Sequence, residues 1–233
     1  MKLAIISDIH GNLEALTKAL SIIDEKRVDE IVCLGDVVGY GANPNECLDL
    51  VRKRCSVVIK GNHDEAALDP GGPHDFNPIA QQAIDWTAGA LIPENRDYLR
   101  ARPMVCRIEE ALLVHSSPRS PELWEYVVST ENALDALRSF EERICFIGHT
   151  HVPGIFSPSG RSKTVTKEER HLVNVGSIGQ PRDGNPMLAF GIFDSDAWSY
   201  ELVRSEYDIL RAAEKIIAAG LPRELGYRLM YGM

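Results

Sequence analysis

MKLAIISDIHGN, residues 1–12, runs through the apolar stretch Leu3–Ile6, breaks at Ser7 and Asp8, and offers His10 two positions later. A short β-rich run bounded by polar residues predicts a buried strand. Asn12 is placed to cap a following helix, and Leu13, Leu16, Leu20 and Ile23 recur at helical spacing through about Arg27. A strand feeding a helix is the start of a βαβ unit, so these residues point to an α/β fold from the outset.

The pattern repeats down the chain. LAIIS (3–7), IVCLG (31–35), SVVIKG (56–61), ALLV (111–114) and ICFIG (144–148) read as strands, with a second helix from Pro44 to about Arg54. The residues that follow them are Asp8, Asp36, Asn62, His115 and His149. Crossover units align the carboxyl ends of neighbouring strands along one edge, so these side chains are expected to converge. Turn chemistry explains Asp and Asn after a strand, but it gives no reason for His115, His149 and His151. His74 and His171 lack such a setting and read as structural or solvated.

Two carboxylates (Asp8, Asp36), four imidazoles (His10, His115, His149, His151) and the Asn62 carboxamide exceed what one tetrahedral ion takes. A carboxylate can bridge two cations through its two oxygens, and two-metal hydrolytic sites hold their ions ~3.5–4 Å apart. Asp36, central in the order, is the expected bridge. Imidazole and carboxylate without thiolate suit Mn, Fe or Zn as divalent or trivalent ions, rather than Cu(I) or an iron–sulfur cluster.

SDIHGN (7–12), GDVVGYG (35–41), GNHD (61–64), VHSSP (114–118) and GHTH (148–151), in this order, resemble the signature of calcineurin-like metallophosphoesterases. The resemblance implies an α/β sandwich of two mixed β-sheets flanked by helices. It implies Asp8, His10, Asp36 and His151 on one metal, and Asp36, Asn62, His115 and His149 on the other. His63 would then be the general acid, oriented by Asp64. The implied activity is hydrolysis of a small-molecule or nucleotide phosphomono- or diester by a metal-bridging hydroxide. Bacterial relatives of this kind are described as phosphoesterases or as resembling dinucleoside tetraphosphate hydrolases.

Two alternatives stand beside that reading. One is a metal-binding scaffold without turnover, as in the retromer subunit built on this fold; that subunit lacks the catalytic histidine, whereas His63 is present here. The other is a protein Ser/Thr phosphatase, but those enzymes resemble this chain only up to the arginine of G-D-x-V-D-R-G, where Gly39 and Tyr40 stand instead. Tyrosine cannot imitate a bidentate phosphate clamp. Arg119 and Arg182, both in loops rich in Gly, Pro or Ser, are the substitutes, and with Asn62 they form the expected substrate-binding set. Trp124 and Tyr126 are expected to pack into the core, with stacking on a base or an aromatic leaving group as the alternative.

Residues 66–103 read as an insertion, with Asn77 and Pro78 opening a helix that is either a lid or a side of the core. Beyond residue 151 the apolar period becomes two. IFS (155–157) with KTVT (163–166), LVNVGS (172–177), and MLAFGIF (187–193) with WSYELVR (198–204) are expected to build the second sheet. A helix from Tyr207 to Ala219 and a short final one complete a single domain over residues 1–233.

The chain is 44% hydrophobic with a formal charge of −9. That balance does not favour stable binding to nucleic acid. No apolar stretch approaches the ~20 residues that span a bilayer, and no secretory leader opens the sequence. A cytoplasmic enzyme is expected, and five cysteines without a C-x-x-C spacing suggest no disulfide framework.

Overall fold

Alternation along β1 (Lys2–Ile6) sets the layering. Leu3 and Ile5 point to one side, Ala4 and Ile6 to the other, and both sides are buried. A strand covered on both faces is the mark of a sheet with layers above and below it. The structure, a computed structural model, describes residues 1–72 and 75–233; His74 lies outside them.

The first sheet adds β2 (Glu30–Cys33) and β3 (Val57–Val58) to β1, all parallel, after helices α1 (Leu13–Lys26) and α2 (Pro44–Arg54). Asn12 caps α1 by accepting from Ala15 N–H at 3.1 Å. In chain order α3 (Asn62–Leu68), α4 (Pro78–Ala90) and α5 (Pro93–Arg100) separate β3 from the strands of the second sheet. The second sheet has the order β4-β5-β6-β9-β7-β8. Its strands are β4 (Val105–Ile108), β5 (Ala111–Val114), β6 (Ile144–Ile147), β7 (Gly154–Ser157), β8 (Gly160–Ser162) and β9 (His171–Asn174), and α6 (Thr130–Leu137) packs on its outer face.

Leu3, Ile5, Val32 and Leu34 meet Leu113, Ile144, Phe146 and Val173 across the gap between the sheets. Burying each such side chain contributes roughly 1.5–3 kcal/mol, so this layer is the main cohesion between the two halves. The carboxyl ends of β1, β2, β3, β5 and β6 come to one rim.

The late hairpin departs from expectation. β10 (Leu188–Asp194) and β11 (Ser199–Ser205) complete the first sheet, not the second, in the order β11-β10-β1-β2-β3. The free edge of β1 decides this: Leu3 pairs with Phe193 and Ala4 with Ile192. Phe193 then faces the gap with Trp198, while Phe190 and Ile192 face α1. A slip of one residue would turn both sets out of their layers. The partner of residues 155–157 is β8, just upstream of KTVT.

The insertion lies along the flank. Ala80 and Ala83 of α4 pack with Ala212 and Ile216 of α7 (Ile209–Ala218) and with Leu225 and Leu229 of α8 (Arg223–Tyr231). Asn95 of α5 is buried and receives Arg52 at 2.8 Å. Phe76, just before α4, brings its ring to 4.8 Å from that of His63.

Candidate metal centre

β1, β2 and β6 enter the rim through tight turns with unusual backbone. Asp8 (φ 53°), His10 (51°), Asp36 (51°), His149 (66°) and His151 (60°) all sit in the left-handed region. That region costs an L-residue roughly 1–3 kcal/mol and persists where neighbours over-determine it. Here Asp8 N–H donates to Gly35 O at 3.1 Å, His10 N–H to Asp36 O at 2.9 Å, and Gly179 N–H to Asp8 O at 2.9 Å. Gly148 is required at the same place, because a Cβ on it would lie 2.3 Å from Asp8 Oδ2.

Two groups of ligand atoms result, each within 4.8 Å: Asp8, His10, Asp36 and His151, and Asp36, His115 and His149, all buried. His151 Nε2 is 3.2 Å from Asp8 Oδ1. Asp36 Oδ2 lies 3.6 Å from His10 Nε2 and 3.4 Å from His115 Nε2, so it faces both groups. Its Oδ1 accepts His63 N–H at 2.8 Å. A single oxygen of Asp36 is therefore common to both groups, where the sequence suggested that two oxygens would divide the task. Asn62, at the start of α3, puts Oδ1 3.2 Å from His115 Nε2.

Backbone carbonyls orient every ring. Nδ1 of His10 faces Val38 O at 3.1 Å, Nδ1 of His115 faces Leu34 O at 2.9 Å, and Nδ1 of His151 faces Gln180 O at 2.5 Å. A carbonyl only accepts, so each Nδ1 carries a proton and each Nε2 points inward, as a lone pair on His10 and His151, whose rings burial keeps neutral. His149 is reversed: its Nε2–H donates to Trp124 O at 2.8 Å, which leaves Nδ1 for the interior.

This arrangement tests whether the residues fit a metal. Nε2 of His10 and Nε2 of His151 stand 3.1 Å apart. Two lone pairs at that distance repel unless a cation lies against both. Imidazoles whose far nitrogen is anchored on a carbonyl are the usual metal ligands, so the donor set fits.

Charge points the same way. Burial drives His10 well below the usual histidine range and His149 down to about 3. Burial also opposes a charge on His115, but the nearby Asp36 and Asp8 carboxylates outweigh it and lift that ring to about 9. Burial favours the neutral acid at Asp8 and Asp36, yet His151 and His115 respectively hold these carboxyls below their ordinary range. Two buried anions thus face one charged ring, and a cation would complete the balance.

His63 sits beside this cluster, with its ring 4.8 Å from that of His10 and 4.4 Å from that of Tyr40. Gly39 (φ 90°) makes room for it: a Cβ there would lie 2.6 Å from His63 Nδ1. Asp64 does not orient this ring. Its Oδ1 accepts from Val37 N–H (2.9 Å) and Val38 N–H (3.1 Å), and Oδ2 accepts from Gly61 N–H (3.0 Å). As the third residue of α3 its carboxylate folds back onto the orphan amides at the helix start, which takes it away from His63.

The two arginines part company. Arg119 is bound bidentately by Glu125, at 3.1 and 2.6 Å, and is exposed. Arg182 donates to Tyr40 Oη at 3.2 Å and Gln180 Oε1 at 3.0 Å, and its N–H reaches His151 O at 3.3 Å. Trp124 and Tyr126 do not enter the core. Tyr126 is 53% exposed and stacks on His149 with centroids 4.0 Å apart, while Trp124 supplies the carbonyl under that ring. His171 is buried and accepts Thr166 N–H at 2.9 Å, a structural role.

Tyr40 and Trp124 are the site residues that sequence reasoning did not assign. Tyr40 was legible only as the residue replacing an arginine; its contacts with the rings of His10 and His63 depend on folding. Trp124 contributes through its main chain, which carries no sequence signal.

Residues 1–197 match the family described as the calcineurin-like phosphoesterase superfamily domain. An uncharacterized protein of Methanocaldococcus jannaschii is 39% identical over 242 residues, covering 99% of this chain and 98% of that one. The crystal structure of a metallophosphoesterase from Sphaerobacter thermophilus superposes with a TM-score of 0.90 at 37% identity, covering 100% of this chain and 99% of the other. Phosphodiesterase YfcE of Escherichia coli is 26% identical over 216 residues, 91% of this chain and 98% of its own length. With these likenesses and a buried His/Asp cluster at the rim of two mixed sheets, the chain belongs to the calcineurin-like phosphoesterase superfamily.

Proposed function

We propose that this chain hydrolyses a phosphomonoester or phosphodiester of a small molecule or nucleotide, using two cations of the Mn, Fe or Zn type. Asp8, His10, Asp36 and His151 would hold one, and Asp36, Asn62, His115 and His149 the other. Such a pair, when bound, lowers the pKa of water and neutralises phosphoryl charge. The observation that carries the reading is the 3.1 Å approach of two inward-facing imidazole nitrogens, His10 Nε2 and His151 Nε2, each committed at Nδ1 to a carbonyl.

The chain's own groups do the remaining work. One P–O bond of the ester breaks, a new one forms to the oxygen of water, and the departing oxygen takes a proton. His63 supplies that proton. As an acid the ring starts as the imidazolium, protonated on both nitrogens; its Nδ1 is buried without a partner among the described residues, so Nε2–H is the one assigned to the departing oxygen. Burial pushes this ring down to about 4. It holds a proton at neutral pH only with an anion beside it, and the substrate's phosphoryl oxygens are that anion. Asp64 fixes the turn of residues 37–38 against α3, and so positions Gly39 under His63. Arg182, whose hydrogen bonds go to neutral partners, is the phosphate-binding arginine in place of the one missing at position 40. Asn62 borders the same space.

The test is to purify the protein, measure its metal by mass spectrometry, and assay an aryl phosphomonoester and an aryl phosphodiester with added Mn²⁺. About two ions per chain and turnover of one ester are expected. Retained metal with both esters untouched would favour the scaffold; absence of metal binding would sink the reading.

A further inference from the structure

Beside the cluster lies an open cavity of about 350 Å³, large enough for a small organic group. Its walls include the rings of Tyr40, Phe76 and Tyr126, with the guanidiniums of Arg182 and Arg228 and the carboxylate of Asp75. Tyr40 and Tyr126 are the rings already in contact with His10 and His149, so the cavity shares its inner wall with the candidate ligands. Phe76 and Tyr40 also flank His63, the group proposed to face the departing oxygen.

Resting on the proposed hydrolysis, the geometry points to this cavity as the seat of the departing alcohol. We infer that the preferred alcohol carries an aromatic ring and a second anionic group. Aromatic walls favour a ring by stacking and edge contacts. Arg182, next to the cluster, meets the phosphoryl group. Arg228, on α8 farther from the cluster, has no acidic partner among the described residues and is free for a second anion. Two guanidiniums against one carboxylate give this recess a positive balance in a chain of net charge −9. That local reversal is what an anionic ligand needs.

Binding of phosphonates, which cannot be hydrolysed, tests the inference apart from turnover. Calorimetry on the Mn²⁺-loaded protein would compare propylphosphonate, benzylphosphonate and 4-carboxybenzylphosphonate. Benzylphosphonate should bind about tenfold tighter than the propyl compound, and the carboxyl group should add roughly another fivefold. Tyr126→Ala should shrink the first ratio, and Arg228→Ala should abolish the second. Equal affinities for the three ligands would overturn the inference, as would an Arg228→Ala protein that keeps the carboxyl advantage. Turnover of an aryl phosphomonoester or an aryl phosphodiester on the same sample reports on the hydrolytic reading. Ranked affinities without turnover would leave the cavity assigned and the hydrolysis refuted, and turnover with flat affinities would do the reverse.

Discussion

The two ligand groups share Asp36 but are built differently. Around Asp8, His10 and His151, the anchoring carbonyls of Val38 and Gln180 belong to turns buried beneath the first sheet's helices. Around His115 and His149, one anchor is Leu34 at the end of β2, but the other is Trp124, in a loop whose neighbours Leu123 and Tyr126 are exposed. The first group therefore stands on buried turns, and the second leans in part on a surface loop. Of the two ions proposed, the second should therefore be held more weakly, because orientation of the outer groups tunes metal affinity by roughly 10–100-fold.

The largest effect should come from removing what the groups have in common. Asp36→Asn leaves a weaker ligand facing both, and should lose metal and activity together, by about 1000-fold or more in turnover. Elemental analysis showing both ions retained would break the idea of a shared oxygen. His63→Ala should cut turnover of esters with poor leaving groups by roughly 100-fold, with metal content unchanged in both groups; wild-type rates would remove His63 from its role.

The loop dependence can be isolated at position 124, whose backbone is left-handed (φ 52°). Proline cannot adopt that angle, whereas glycine can. Trp124→Pro should weaken one of the two Mn²⁺ affinities by about 10–100-fold while Trp124→Gly changes it by only a few-fold. Equal losses in both variants would assign the effect to the indole ring and not to the carbonyl.

Acid and alkali should separate the imidazoles in chelator-stripped protein. His63 and His149 titrate at about 4 and about 3 when folded, below the ordinary 6.5. The unfolded chain then binds more protons in that window, so stability rises with pH and is lost as pH falls below about 6.5. His115 titrates at about 9 when folded, above its ordinary value. Its contribution is complete below about 6.5 and is lost as pH rises through about 9. Urea midpoints should therefore peak near pH 6.5, where the acid rise ends and the alkaline fall begins, and Mn²⁺ should flatten the alkaline side by taking the proton's place on His115. An alkaline decline unaffected by Mn²⁺ would contradict that assignment. The smallest change is expected from Arg119→Ala: an exposed ion pair with Glu125 is worth about 0–1 kcal/mol, so kcat/KM should move less than about threefold.

The contrast between Arg119 and Arg182 also shows where reading the sequence stops. Both stood in plausible loops after strands, and neither neighbour in sequence distinguished them. Glu125, six positions on, claims Arg119, whereas Arg182 meets Tyr40 across 142 positions. Asp64 shows the same limit: the resemblance put it behind His63, but its place in the first turn of α3 sends the carboxylate to backbone amides.

The two-sheet class was implied by the motifs' resemblance to a known family; what the amino-acid sequence determined alone was the βαβ start and the set of polar residues at strand ends. Those follow from local periodicity and from the rule that parallel strands present their carboxyl ends together. Only the tertiary structure decided that β10 and β11 close the first sheet, that Trp124 turns His149 around, and that Arg182 reaches Tyr40. Each of these depends on which edge, carbonyl or ring lies nearest after the chain is packed, and proximity of that kind has no periodicity for a sequence to display.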